Sequence, residues 1–428
     1  MRKGNKNLLI LFSFIIISSF NSFMVIENGI FKDINEEKSQ NLTSLKLSAE
    51  PITLEWNYNT SFIIQSVAIS SDGNYIVAGT GHITMTNDSY IYLFSKSSST
   101  PLWSFEADND IETVDISANG DFIVAGGRDR HVYLFSRSSA VPLWNYSTPS
   151  AVNSIFITSD DNYIIAGTEG GVYLFDRLNS IPLRTFAFGQ QLITTAMASD
   201  GNYIAVINYS APNNFGLSFY DTTSSIPIWN YATNDFLWSI DISADGSNII
   251  VGSLYDNKII LFEKSNPIPL WNYTTDNSVY SVAISSDGYN LAGAGADYNI
   301  YLFEKSNPTP LWNYTTDDSV NSVAISSDGN NLAAASMDNT IYFFETTSST
   351  PIWSYQTSGS TILGGSISIT PNGKFYVVGG YDDYTLYLFS KITSTTQGII
   401  SFYNYYIIFG ILALISLVLI IKKKAEVN

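Results

Sequence analysis

The chain has 428 residues and carries 38 acidic against 20 basic side chains, a formal charge of −18. That balance argues against nucleic acid, because phosphate binding asks for a basic surface. Cysteine is absent and histidine occurs only as His82 and His131, so disulfide staples, thiolate metal sites and a cysteine nucleophile are excluded, and histidine catalysis has little to draw on.

Residues 1–26 begin with Arg2, Lys3 and Lys6 and then run apolar from Leu8 to Ile26, the pattern of a signal peptide or an uncleaved signal anchor. Residues 27–52 are polar and without periodicity, which reads as a linker.

From there to residue 390 one phrase recurs. A Trp-bearing strand occurs at Trp56, Trp103, Trp144, Trp229, Trp271, Trp312 and Trp353, with Arg184 in the same place between Trp144 and Trp229. The spacing is 40 to 47 residues, and each interval holds four short runs rich in Val, Ile, Tyr and Phe separated by turn residues. Asp72-Gly73, Asp245-Gly246, Asp287-Gly288 and Asp328-Gly329 represent the turns that join the first two runs of each unit. Four strands per unit and eight units predict an all-β, eight-bladed β-propeller over 53–390. The runs are continuously apolar, as expected of sheets packed on both faces. The chain enters on LEWNY at 54–58 and leaves after LYLF at 386–389, so pairing these two would close the ring.

Residues 391–397 form a polar tether. Residues 398–421 are apolar apart from Ser401, Asn404 and Ser416 and end at Lys422, Lys423 and Lys424, which predicts a transmembrane helix followed by a basic cytoplasmic tail, 422–428. Basic flanks at both ends place the propeller outside the cytoplasm, at the cell membrane in a single or double pass.

The strand order and the turns of SVAISSDGNYIVAG resemble the WD-repeat family over about 53–390, although YLFS, LFEK and YFFE stand where that family has its eponymous dipeptide. The Trp at each repeat join is also similar to eight-bladed pyrroloquinoline-quinone-type propellers, whose vicinal cysteines this chain lacks. Both resemblances imply a fold; the chemistry has to be argued from sites.

Candidate sites fall in the loops. Those leading from the Trp strand into the next unit hold Asp108, Asp110, Asp235, Asp276, Asp317 and Asp318, and strand direction puts them on one face with the acidic turns between second and third strands. Asp108, Asp110 and Asp235, with Trp238, are candidates for binding a basic protein or surface ligand. Asp276, Asp317 and Asp318 are the candidates for a cation, calcium being the chemistry such acids suit; no organic cofactor is implied. Two longer connections, 80–90 and 208–215, fall on the same face. Asp115 and Asp241 sit on innermost strands where other units have residues such as Ala68 and Ala283, and an enzyme of hydrolase or lyase type would use them in a central channel. Sequons at Asn145, Asn272 and Asn313 lie on the outermost strand and are candidate glycosylation sites, with further triplets at Asn41, Asn59, Asn87 and Asn208. The sequence therefore predicts a membrane-anchored, extracytoplasmic binding or scaffolding module.

Overall fold

A computed structural model describes residues 24–27, 30–33, 52–82, 89–186, 191–210, 214–358 and 366–392. The chain divides into two compact units, 1–50 and 51–428. In the first, Met24–Glu27 pairs antiparallel with Ile30–Asp33, across the boundary between the expected leader and linker. The apolar stretches 1–23 and 398–421 lie outside the described residues, as do 83–88 of the first long connection. Among the described residues no helix is long and apolar enough to cross a membrane.

The second unit is eight four-stranded antiparallel sheets. Blades 1 to 7 span 63–107, 111–147, 152–186, 191–233, 237–274, 279–315 and 320–356, each running from innermost to outermost strand in chain order. Blade 8 takes Ile367–Ile369, Phe375–Gly379 and Thr385–Lys391 from the end of the chain and its outer strand, Ile52–Asn59, from the beginning. Innermost strands touch in succession around the ring, the eighth against the first. The eight-blade count and the closure by the entering strand are thus both found. One detail differs from expectation: 208–215 is mostly strand, since Tyr203–Ser210 and Asn214–Asp221 extend their ladder almost to the turn.

Burial explains the continuous apolar runs. In Tyr75–Gly81, Val77 joins the core between blades 1 and 2, while Ile76 and Ala78 join the core between blades 8 and 1. Successive side chains of a strand point to opposite faces, so each strand feeds two seams. There are eight such buried clusters, and each belongs to one seam.

The recurrent Trp is a seam device. Trp56, Trp103, Trp144, Trp229, Trp271 and Trp312 each donate the indole N–H to a main-chain carbonyl of the following blade, at Lys96, Arg137, Arg177, Lys264, Lys305 and Thr346, over 2.8–2.9 Å. Several of those basic residues also lie over an aromatic ring of the blade before, as Arg137 does over Tyr75 and Lys264 over Tyr203.

The turn aspartates are structural. Asp72 accepts from the Ser70 hydroxyl at 2.6 Å and the Asn74 amide at 2.9 Å, and Gly73 takes φ +72°, which an L side chain rarely adopts. Partial burial opposes the charge on Asp72, but those donors outweigh it and hold its carboxyl below the ordinary range.

Candidate functional site

Both sets of acidic loops do meet on one face. The Asp110 carboxylate accepts the His82 amide at 2.9 Å and the Ser89 hydroxyl at 3.2 Å. Asp235 accepts the amides of Tyr255 and Asp256 at 3.2 and 3.0 Å, and the Asp317 amide donates to Asp338 at 3.1 Å. In each case a loop entering a blade touches a turn between second and third strands.

That packing changes the roles expected for two residues. Asp110 and Asp235 are buried, and their carboxylates tie loop to turn instead of facing a partner. Asp108 remains exposed, as do Asp276 and Asp317. Asp318 accepts the Ser319 amide at 2.7 Å. Among the described residues no three acidic or histidine side chains converge as a cation would need, so Asp276, Asp317 and Asp318 contribute charge to the face without forming a cage.

The second-to-third turns have their own motif. Asp129, Asp297, Asp338 and Asp383 each accept a hydroxyl from the tyrosine four residues on: Tyr133, Tyr301, Tyr342 and Tyr387. The residue after the acid, or the next one, takes a left-handed φ, as at Arg130, Tyr298, Asn339 and Tyr384. Burial pushes the Asp129 carboxyl up, while the Tyr133 hydroxyl and the His131 amide act in the opposite sense.

On the innermost strands the structure reveals two features. Each of blades 1 to 7 has a register shift where its inner strand leaves the acidic face, at Gln65, Glu112, Asn153, Ile193, Trp238, Tyr280 and Asn321 in turn. A bulge places one extra residue in a strand and re-aims its side chain. Among the described side chains, Gln65, Glu112, Asn153, Trp238, Tyr280 and Asn321 thus put dissimilar residues at the channel mouth, and such variation on a constant scaffold is where recognition resides. Glu112 is held there by Arg128. Trp238 is 46% exposed and packs on Phe236, whose ring also meets Phe215 and Tyr255 at centroid distances of 4.8 and 5.7 Å. Tyr255 is 72% exposed. Trp238 was legible as a candidate; Tyr255 and the bulge ring were not.

The second feature accounts for Asp115 and Asp241. Asp115 accepts its neighbour Ile116's amide at 2.8 Å and, across the seam, the Ile157 amide at 2.9 Å. Asp241 repeats this with Ile242 and Ile284. Hydroxyls two residues earlier do the same work: Thr113 accepts from Ile155, Ser66 from Val114, Ser239 from Val282 and Ser281 from Val323. Innermost strands would otherwise present edge amides to the channel, and these side chains clasp each strand to the next. Both side chains are only half-buried at the channel wall, and crowding by the surrounding strands pushes them up to about 6, against the pull of two amide donors each. Among the described residues no cationic side chain contributes to either shift.

Among the sequons, Asn145, Asn272 and Asn313 are exposed on outer strands, whereas Asn208 is buried with its amide donated to Ser218 and cannot take a glycan. Asn41 and Asn87 lie outside the described residues.

The fold is that of an eight-bladed β-propeller. More particularly, residues 99–136, 269–304 and 308–345 match the family described as WD domain, G-beta repeat, so these three stretches are WD repeats. No curated protein sequence matches the chain. Among solved structures, Sqt1 of Chaetomium thermophilum, bound to the N-terminus of the ribosomal protein L10, aligns with a TM-score of 0.67 and 18% identity, over 78% of this chain and 98% of that one. At that identity the likeness concerns the fold.

Proposed function

We propose that this protein is a membrane-anchored, extracytoplasmic scaffold that binds an extended basic segment of another protein at the channel mouth on its acidic face. The observation that carries the proposal is the union there of the bulge ring, the exposed Trp238 and Tyr255, and the acids of the loops. Aromatic anchors in a charged rim are what a binding hot spot requires, and the negative field draws a basic segment toward them. The Sqt1 structure supports the choice of ligand, since a propeller of the same architecture there holds a protein N-terminus. Membrane anchoring rests on the sequence of 398–421 and its lysine flank. With both basic termini set aside, 14 basic and 37 acidic residues remain, so the exported part is near −23.

The test is fluorescence anisotropy of a Lys/Arg-rich peptide and an acidic one of equal length against the whole protein. Salt-sensitive binding of the basic peptide alone, weakened at least tenfold by Trp238→Ala with Tyr255→Ala at unchanged Tm, is expected. Equal affinity for both peptides, or no effect of the variant, would discard the site. Protease added to intact cells should remove the propeller; full protection would refute the topology.

A further inference from the structure

The face opposite the acidic loops carries apolar side chains that the fold does not call for. Each of blades 1 to 7 has a proline just before its Trp or Arg184 position, in the connection from third to outer strand or, in blade 6, within the outer strand itself, and the residue before that proline is exposed. In blades 2 to 5 that residue is Val141, Ile181, Ile226 or Ile268, exposed by 73, 69, 76 and 74%. In blades 1, 6 and 7 it is Thr100, Thr309 or Thr350. Threonine serves the same turn, so nothing in the propeller requires four β-branched aliphatics in water, and they occur in four adjacent blades. Leu178 of blade 3, 79% exposed, extends the arc. The residue after the proline is a half-exposed Leu or Ile in each of blades 1 to 6, so the arc is set apart by the residue before it. Contiguous apolar surface of this kind marks a contact.

The chain itself indicates the contact. Ile52 pairs with Lys391, so the propeller is entered and left on this same face, at blade 8. From Lys391 only seven residues lead to the apolar stretch 398–421, roughly 25 Å at full extension. The exit seam is cationic: Lys96, Lys374 and Lys391, beside Glu55, line a cleft of about 450 Å³. A basic residue ends or directly follows the third strand in six blades, at Lys96, Arg137, Arg177, Lys264, Lys305 and Lys391, and of these Arg137, Lys305 and Lys391 pair with Asp121, Glu263 and Glu345. In eightfold order, blades 3 to 5 lie across the ring from blade 8 and blade 2 lies a quarter turn from it. A disk held at one point can hinge, whereas an apolar support across the ring fixes its attitude.

We propose that the arc of proline turns on blades 2 to 5 rests on a lipid bilayer, the one that segment 398–421 enters, so that the acidic face is held outward. The inference rests on the membrane anchoring proposed above. Aliphatic side chains at an interface gain by burial among acyl chains.

Because the chain has no cysteine, a single introduced one carries a unique label. Full-length protein with Ile181→Cys, Ile226→Cys, Ile268→Cys or, on the acidic face, Tyr255→Cys is labelled with a polarity-sensitive fluorophore and reconstituted in phosphatidylcholine vesicles containing brominated lipid. Blue-shifted emission at 181, 226 and 268, quenched at least twice as strongly as at 255, is expected. Replacing Val141, Ile226 and Ile268 by threonine should leave Tm unchanged and abolish quenching at Ile181→Cys. Protein that floats with the vesicles while all four labels behave alike overturns the arc and leaves the anchor standing. Protein that does not float overturns both. A blue shift that follows protein concentration in the absence of lipid assigns the arc to self-association and overturns the lipid proposal.

Discussion

The indole N–H of Trp103 donates to the main-chain carbonyl of Arg137 in the next blade at 2.8 Å, and the Arg137 guanidinium lies 4.5 Å from the ring centre of Tyr75 back in the first. One residue pair thus joins two blades in both directions. Trp103→Phe removes the donor and leaves a carbonyl on the seam unpaired. A cost of about 1–2 kcal/mol is expected, read as a fall of a few degrees in Tm. The seam between blades 3 and 4 lacks this bond, because Arg184 occupies the position. Arg184→Trp should therefore raise Tm by supplying a donor to the carbonyl of Thr222. Calorimetry of both variants checks the pair, and a Trp103→Phe protein as stable as wild type would show the bond to be incidental.

Asp115 and Asp241 tie stability to pH through their desolvation on the innermost strands, which outweighs the clasps they make with Ile157 and Ile284. Their folded-state values, raised to about 6, exceed the ordinary carboxyl value of 3.8. The folded ring then binds these protons more tightly than the unfolded chain does. Their contribution is complete below pH 3.8 and is lost as pH rises through 6. The double variant Asp115→Asn, Asp241→Asn keeps an acceptor on each seam and removes the titration. Between pH 4 and 7 its Tm should fall less steeply than that of wild type. Parallel curves would mean that channel water keeps both groups at ordinary values.

Much of this architecture could be read from the residues because repetition supplies its own control. Eight turns of the Asp-Gly type and eight strands carrying Trp or Arg184 count the blades independently of one another. What the Trp does could not be read, since its partner is a main-chain carbonyl and any residue can supply one. The bulges at Gln65, Glu112 and Trp238 were equally hidden: a register shift is a property of two strands, and alternation in one does not reveal it. The burial of Asp110 and Asp235 was hidden for a related reason. A loop acid looks solvated until the turn beside it is known to offer unpaired amides.

That loop-to-turn packing also fixes a glycine. A Cβ on Gly295 would fall 1.9 Å from the carbonyl oxygen of Ser278, in the loop that leads into blade 6. Gly295→Ala must push this loop off the end of the second strand. A loss above about 2 kcal/mol is expected, in the range of a steric change with no room to relax. Urea denaturation measures it. A loss under about 0.5 kcal/mol would show that the acidic-face loops are loosely held and poor supports for a binding site.

Ring closure carries the largest consequence for stability. Ile52–Asn59 runs beside Thr385–Lys391 from Ile52 against Lys391 to Asn59 against Thr385. Its side chains reach further: Ile52 is buried in the seam between blades 7 and 8, and Trp56 donates to Lys96 in blade 1. The strand thus serves three blades and ties the first part of the propeller made to the last. Deleting residues 51–60 leaves Thr385–Lys391 as an open edge and removes cover from Phe389, a ready template for another chain. Because each blade relies on its neighbours for burial, the damage should spread beyond blade 8. The deletion variant is expected to melt at least ten degrees lower and to aggregate on heating. A synthetic peptide of residues 51–60 added in excess should restore part of the lost stability by strand addition, which separates a missing edge strand from general misfolding. An unchanged Tm without the strand would mean that seven complete blades and an open eighth suffice, and that closure by the entering strand contributes nothing.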